Sequence, residues 1–197
     1  SDGSIVNYVE LKQDLSERMR AERQIHALAH FDALTGLPNR LSLTQRLRAL
    51  AREFREGGKG GEPRHGLLLL DMDRFTAFND VRGTVRGDAL LGALALRLAD
   101  ALPDGVLLAR MGADEFAVLL AGTSAEQGML LAQSLCMAVQ DWEGAHEGQR
   151  YLMGASVGMV VLDARQHTVS SALRSADMAC YAAKRKGRNR VEVLEAA

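Results

Sequence analysis

Apolar and polar positions along this chain fall into two rhythms. Short all-apolar runs, which suit buried strands, take turns with longer stretches whose apolar residues recur at helical spacing. Gly66-Leu67-Leu68-Leu69-Leu70-Asp71 is a run of the first kind and predicts a strand covered on both faces. A helix is expected near Gly87–Leu102, with Leu90, Leu91, Leu94 and Leu98 on one face. Val106-Leu107-Leu108-Ala109 and Phe116-Ala117-Val118-Leu119-Leu120 flank a glycine-containing turn and predict a hairpin over 105–121. A helix near Ser124–Trp142 turns Ala132, Leu135, Cys136 and Val139 inward, and Gly154–Val161 reads as another strand. Val169, Leu173, Ala176, Cys180 and Ala183 mark a last long helix before a closing strand at Val191–Leu194. The order predicts an α+β fold: a ferredoxin-like βαββαβ sandwich whose mostly antiparallel sheet is flanked by helices, with a terminal helix and strand added.

The rhythm is weaker at the N-terminus. Residues 1–9, including Gly3-Ser4-Ile5-Val6-Asn7-Tyr8-Val9, read as an extended segment without a partner strand in the chain. From Glu10 to His30 there is no Gly or Pro, and Leu11, Leu15, Met19, Ile25, Leu28 and Ala29 form a stripe that charges interrupt. That pattern suits a connector helix or weak coiled coil over 10–30 better than a core helix. His26 and His30 are spaced i,i+4 but lack a third ligand, so they are read as helix-surface residues. Phe54–Arg64, with Gly57, Gly58, Gly60, Gly61 and Pro63, predicts a surface loop.

Composition narrows the function classes. A chain of 197 residues suits one domain with an added helix, and 47% hydrophobic with 25% charged residues gives it a core to bury. A formal net charge of -1 excludes a duplex nucleic-acid binder held by bulk electrostatics. No apolar run is long enough to span a membrane. Cys136 and Cys180 each fall inside an apolar helical pattern and are expected as buried free thiols, which suits the cytoplasm. The first residues, Ser-Asp-Gly, suggest a piece of a longer protein.

Candidate chemistry gathers where strands end. In Asp71-Met72-Asp73-Arg74-Phe75, period-2 alternation sets Asp71 and Asp73 on one face. Two carboxylates leaving a buried strand are costly unless a cation meets them, and a hard divalent ion such as Mg2+ (or Mn2+) matches their oxygens. The bland alternative is a solvated strand end. Lys184-Arg185-Lys186-Gly187-Arg188-Asn189-Arg190 forms a basic patch of phosphate size, or else a helix end whose cations complement the dipole. In Arg110-Met111-Gly112-Ala113-Asp114-Glu115-Phe116 the hairpin turn carries an acidic pair within reach of a metal or phosphate.

These segments occur in a familiar order. Phe31-Asp32-Ala33-Leu34-Thr35-Gly36-Leu37-Pro38-Asn39-Arg40, the stretch Asp71–Asp88 with Asn79-Asp80, Gly83 and Gly87-Asp88, and the Arg110–Phe116 turn come first. Ala155-Ser156-Val157-Gly158, Ala176-Asp177, Tyr181-Ala182-Ala183-Lys184 and Gly187-Arg188-Asn189 follow. Together they resemble the GGDEF family of diguanylate cyclase domains, from residue 31 to about 193, and the domain is taken as 31–197. The resemblance implies that two GTP molecules, one on each of two facing domains of a homodimer, condense to cyclic di-GMP and pyrophosphate. It implies that Asp71, Asp114 and the Met72 carbonyl hold Mg2+ and that Asn79 and Asp88 bond the guanine edge. Lys184 and Arg188 would grip the terminal phosphates, with Phe75 in the substrate-binding segment. Glu115, in the turn with Gly112 and Ala113, would lie beside the attacking hydroxyl. Asp14-Leu15-Ser16-Glu17-Arg18 resembles the linker that follows PAS sensor domains, so residues 1–9 would end a PAS-like domain. An EAL-type phosphodiesterase is a frequent downstream neighbour in such proteins.

Three positions depart from the family pattern. Ala113 replaces the second glycine of the turn; a left-handed backbone there would cost roughly 1–2 kcal/mol. Thr76 stands where the family usually has Lys, and losing such a phosphate-facing cation costs on the order of 10²–10³ in rate. Thr84 replaces a usual His. The stretch Leu102-Pro103-Asp104-Gly105-Val106 lacks the Arg of the family's product-inhibition site. The reading that follows is a degenerate GTP-binding regulatory module with weak or no cyclase activity. The alternatives are an active cyclase and, more remotely, a scaffold that binds no nucleotide.

Overall fold

The structure is a computed structural model that describes residues 16–56, 65–140, 153–162 and 168–194. Its elements are α1 (Ser16–His30), α2 (Arg40–Glu56), β1 (His65–Met72), α3 (Phe75–Arg82), α4 (Thr84–Asp100), β2 (Leu107–Arg110), β3 (Glu115–Leu120), α5 (Ala125–Gln140), β4 (Ala155–Leu162), α6 (Val169–Arg185) and β5 (Arg190–Leu194). The five strands form one sheet in the order β2-β3-β1-β4-β5. All pairings are antiparallel except β4 with β5. β1 and β3 are the inner strands of two interleaved β-α-β units, which is the expected ferredoxin-like arrangement. α6 and β5 extend it at one edge.

Strand alternation divides the core in two. Leu68, Leu70 and Met72 of β1 point to the face covered by α3, α4 and α5, where they meet Phe75, Leu91, Leu94 and Leu135. Leu67 and Leu69 point to the other face, against Leu43 and Leu47 of α2 and Ala176 and Cys180 of α6. Asp71 inherits this parity and emerges on the α6 face. α6 lies very close to the sheet because Gly158 has no side chain: a Cβ there would come within 2.2 Å of Ala176 O and Cys180 N. Cys136 and Cys180 are buried and unbridged, as expected.

The helical boundaries follow from caps. Asn39 Oδ1 accepts from the amides of Leu41 and Ser42, which starts α2. Thr168 and Ser171 form a capping box that starts α6. Two helices escaped the sequence reading. α2 was not anticipated, although Leu43, Leu47 and Leu50 are helix-spaced behind an Asn cap, and α3 is a short helix between two expected elements. The predicted loop over Phe54–Arg64 begins too early, since Phe54–Glu56 close α2. α4 starts at Thr84, not Gly87. The remainder of that loop, residues 57–64, lies outside the described residues. So do the N-terminal segment over 1–9, the start of the connector helix and Trp142. Among the described residues, no helix is long and apolar enough to cross a membrane. The rings of His26 and His30 pack tilted with centroids 4.5 Å apart, and His30 Nδ1 lies 3.3 Å from Ser42 Oγ.

Candidate functional site

Asp71 is carried by the end of β1, Glu115 by the start of β3, and Lys184 by the last turn of α6. The sheet register sets Asp71 opposite Glu115 on one side and Ser156 on the other. α6 crosses that face, so the three side chains line a cavity of ≈ 280 Å³ with Asp177, Met178, Cys180 and Tyr181. Lys184 Nζ donates to Asp71 Oδ2 at 2.5 Å. Burial pushes the Asp71 carboxyl above its ordinary range; Lys184 opposes that shift, and the charges of Asp114 and Glu115 add to it. Burial would lower Lys184, but the hydrogen bond and charge of Asp71 outweigh it and hold the ammonium above the usual lysine value. Burial also pushes the neighbouring Cys180 thiol up to about 12, so it is inert as a nucleophile.

The acidic turn is fastened from outside the hairpin. Met72 N donates to Asp114 O, which locks the turn onto β1, while Met111 N donates to Glu115 O and closes the turn itself. Arg110 donates from Nη1 to Asp32 Oδ1 at 2.9 Å and from Nη2 to Ala113 O at 2.7 Å, tying the 31–40 segment to the turn. Its Nε is buried without a partner among the described residues. Asp32 also accepts from the amide and hydroxyl of Thr35. These bonds, led by Arg110, overcome the effect of burial and hold the Asp32 carboxyl below its ordinary value. Local sequence assigns Asp32 and Arg110 no role. The pairing joins residues 78 positions apart, and nothing local announces it.

Ala113 is exposed and keeps a negative φ. Among the described residues, the non-glycine positions in the left-handed region are Arg74 (φ 61), Arg188 (φ 63) and Asn189 (φ 46). Gly112 is not left-handed either. The expected strain at Ala113 is therefore absent, and Gly112 matters for another reason: a Cβ there would lie 3.0 Å from Glu115 Oε2.

The remaining expected site residues form separate patches. Asn79 of α3 lies against Gly87 of α4, where any Cβ would come within 1.8 Å of Asn79 Oδ1. That places the amide one residue from Asp88, which is exposed. Asn79 Oδ1 is a buried acceptor without a hydrogen-bond partner among the described residues. Phe75 is 5% exposed, and its ring packs in the core beneath this pair, so it presents no open face. Arg188 is not in the Asp71 cavity; it lines a groove of ≈ 650 Å³ with Asp73, Arg74, Phe78 and Gly154. Thr76 and Thr84 are exposed at the first turns of α3 and α4.

Asp73 shares the face of Asp71 but is held by donors from two other elements. Its Oδ1 accepts from Ser156 Oγ at 2.7 Å and its Oδ2 from Asn189 N at 2.9 Å. It joins β1, β4 and the α6–β5 turn rather than offering a second free carboxylate. Among the described residues, no three His, Cys, Asp or Glu side chains form a ready-made metal cluster. The carboxylates of Asp71, Asp114 and Glu115 are nonetheless hard oxygen donors of the kind a divalent cation takes.

Residues 29–190 match the family model described as diguanylate cyclase, GGDEF domain. The probable diguanylate cyclase DgcE of Escherichia coli (strain K12) is 39% identical over 194 residues, covering 98% of this chain and 17% of that protein. Diguanylate cyclase DgcP of Pseudomonas aeruginosa is 38% identical over 165 residues, covering 82% of this chain and 23% of that protein. The chain thus spans under a quarter of the length of either relative. Among solved structures, the coiled coil and GGDEF domain of DgcB from Caulobacter crescentus, in complex with c-di-GMP, superposes with a TM-score of 0.80 at 27% identity. That match covers 90% of this chain and 93% of the other.

Proposed function

The chain belongs to the GGDEF diguanylate cyclase family of cyclic di-GMP signalling proteins, and from that premise we propose that it is a GTP-binding regulatory domain with weak or no cyclase turnover. The observation that carries GTP binding is the convergence of Asp71, Glu115 and Lys184 in one cavity, from three elements far apart in sequence. Asn79 and Asp88 are assigned to the guanine edge. The unpartnered Asn79 Oδ1 accepts from a guanine N–H there, and Asp88 accepts from the others. Lys184 is assigned to the terminal phosphates from the Asp71 cavity, and Arg188 from the separate groove that it lines. Two consecutive left-handed residues, Arg188 and Asn189, form the turn that presents the second cation, a backbone strain of the kind found at ligand sites.

The family generally uses divalent metal ions, and Asp71, Asp114 and the Met72 carbonyl are the groups assigned to hold one, Mg2+ or Mn2+. Bound there, it would neutralise charge on the phosphoryl oxygens. Glu115 orients the 3′-hydroxyl of the opposing nucleotide and takes its proton. That oxygen bonds to the α-phosphorus in line as the bond to pyrophosphate breaks. Thr76 supplies no charge at this step, and the shortfall in turnover is assigned to it. Two half-sites must face each other, so catalysis requires a homodimer. α1 leaves Ile25 and Leu28, one turn apart, at 67% and 70% exposure, an apolar pair that a second copy could cover. Residues 1–9 would end a PAS-like sensor, 10–30 would connect it, and 31–197 would pass the signal to an EAL-type phosphodiesterase downstream.

A second reading, an active cyclase, is favoured by the negative φ of Ala113, which removes one of the two reasons for impairment. Incubation with GTP and Mg2+, with cyclic di-GMP and pyrophosphate measured beside GTP binding by calorimetry, decides between them. Binding without product is expected, and Thr76→Lys should raise product formation on the order of 10²-fold. Clear turnover by the wild type would establish the active cyclase, and absence of GTP binding would leave the scaffold.

A further inference from the structure

We propose that Lys184 is an internal counter-ion that bars a bare divalent cation from Asp71 and admits one only together with a phosphate-bearing ligand. The inference rests on the reading that Asp71 takes a divalent cation. Lys184 Nζ sits 2.5 Å from Asp71 Oδ2, so one of the two carboxylate oxygens is already paired with a cation. Three acids line the cavity, Asp71, Glu115 and Asp177, and among the described lining residues Lys184 is their one cation. The Asp71 side chain is 11% exposed and that of Lys184 is 35% exposed. The carboxylate is therefore fixed in place, while the ammonium can swing outward. The backbone of α6 cannot follow, because its packing on Gly158 leaves no slack.

A cation approaching Asp71 alone must expel Lys184 into water and forfeit a half-buried ion pair. A cation arriving with a polyphosphate gives the displaced ammonium a new anion at once. Lys184 exchanges one partner for another, and every charge stays neutralised. Metal and nucleotide must then bind with positive coupling, each raising the affinity of the other by the same factor. The lysine would thus select a cation–polyphosphate complex over either component.

The test measures bare Mn2+ binding to the full chain, read by electron paramagnetic resonance of free Mn2+ without nucleotide. Lys184→Met is expected to bind Mn2+ at least about tenfold more tightly than wild type, a difference of about 1.4 kcal/mol. Arg185→Met removes a neighbouring exposed charge from the same helix and should change Mn2+ affinity by less than about twofold. Binding of a non-hydrolysable GTP analogue with Mn2+ or with EDTA should show strong metal dependence in wild type and a smaller one in Lys184→Met. If Lys184→Met does not fold, Lys184→Gln makes the same comparison. Equal Mn2+ affinity in wild type and variant overturns the proposal while analogue binding by wild type keeps the GTP reading intact. So does an equal gain in Arg185→Met, which would assign the effect to net charge. A wild type that takes up no analogue with Mn2+ removes the GTP reading and this proposal together.

Discussion

Asp71 and Asp73 stand two residues apart, on the same face of the same strand end, and both are about 8% exposed, yet their surroundings differ. Asp73 receives a hydroxyl and a backbone amide, each from a different element, one on each carboxylate oxygen. Asp71 is opposed by one long, partly exposed lysine and crowded by Asp114 and Glu115. One carboxylate is satisfied by rigid donors and serves the fold. The other is satisfied by a donor able to leave, and the site is built around it. Burial and charge alone do not separate a structural acid from a ligand-binding one; the mobility of the partner does.

Breaking the rigid side of this contrast should have the largest effect. Asp73→Ala leaves the fully buried Ser156 hydroxyl and the Asn189 amide without their acceptor, and should cost roughly 2–4 kcal/mol in urea unfolding. A loss below about 1 kcal/mol would return Asp73 to the candidate ligand set.

Next in size is the brace beneath the turn. Asp32→Asn should cost roughly 1–2 kcal/mol at pH 7 by weakening the bonds from Arg110 and Thr35. Burial opposes ionisation of Asp32, but the Arg110 and Thr35 bonds prevail, so its folded-state pKa lies below the unfolded value near 3.8. Its contribution is therefore present above that value and disappears as pH falls through the lower folded-state value. Melting curves of wild type and variant should converge at acid pH; a constant gap would mean that Asp32 acts without its charge.

On the mobile side, Asp71→Asn should change stability by less than about 1 kcal/mol, because Lys184 can turn to solvent. The same substitution should abolish Mg2+-dependent GTP binding in calorimetry, and retained binding would move the cation elsewhere. Ala113→Gly should have the smallest effect, a loss within about 1 kcal/mol from added backbone freedom. A gain in thermal stability would instead reveal strain at Ala113 that its negative φ does not show.

Much of this was legible beforehand. The apolar runs of β1 and β3 and the helical spacing in α4, α5 and α6 located the sheet and its layers, because side-chain period reports burial directly. Alternation also placed Asp71 and Asp73 together, but it carries no information on which partners reach them. α2 was readable from Asn39 and its leucines, yet its polar surface hid the stripe. A glycine pattern implies a left-handed backbone at Ala113, whereas the tight contact lies beside it, where a Cβ on Gly112 would come 3.0 Å from Glu115 Oε2.

The sequence by itself determined the fold class, most of the elements in their order along the chain and the residue types available for chemistry, since these follow from local period and order along the chain. Only the tertiary structure decided which carboxylate is occupied, that Arg110 answers Asp32, and that Arg188 and Lys184 face different cavities. Those outcomes depend on contacts between residues 78 to 116 positions apart, and such contacts exist only once the helices have packed on the sheet.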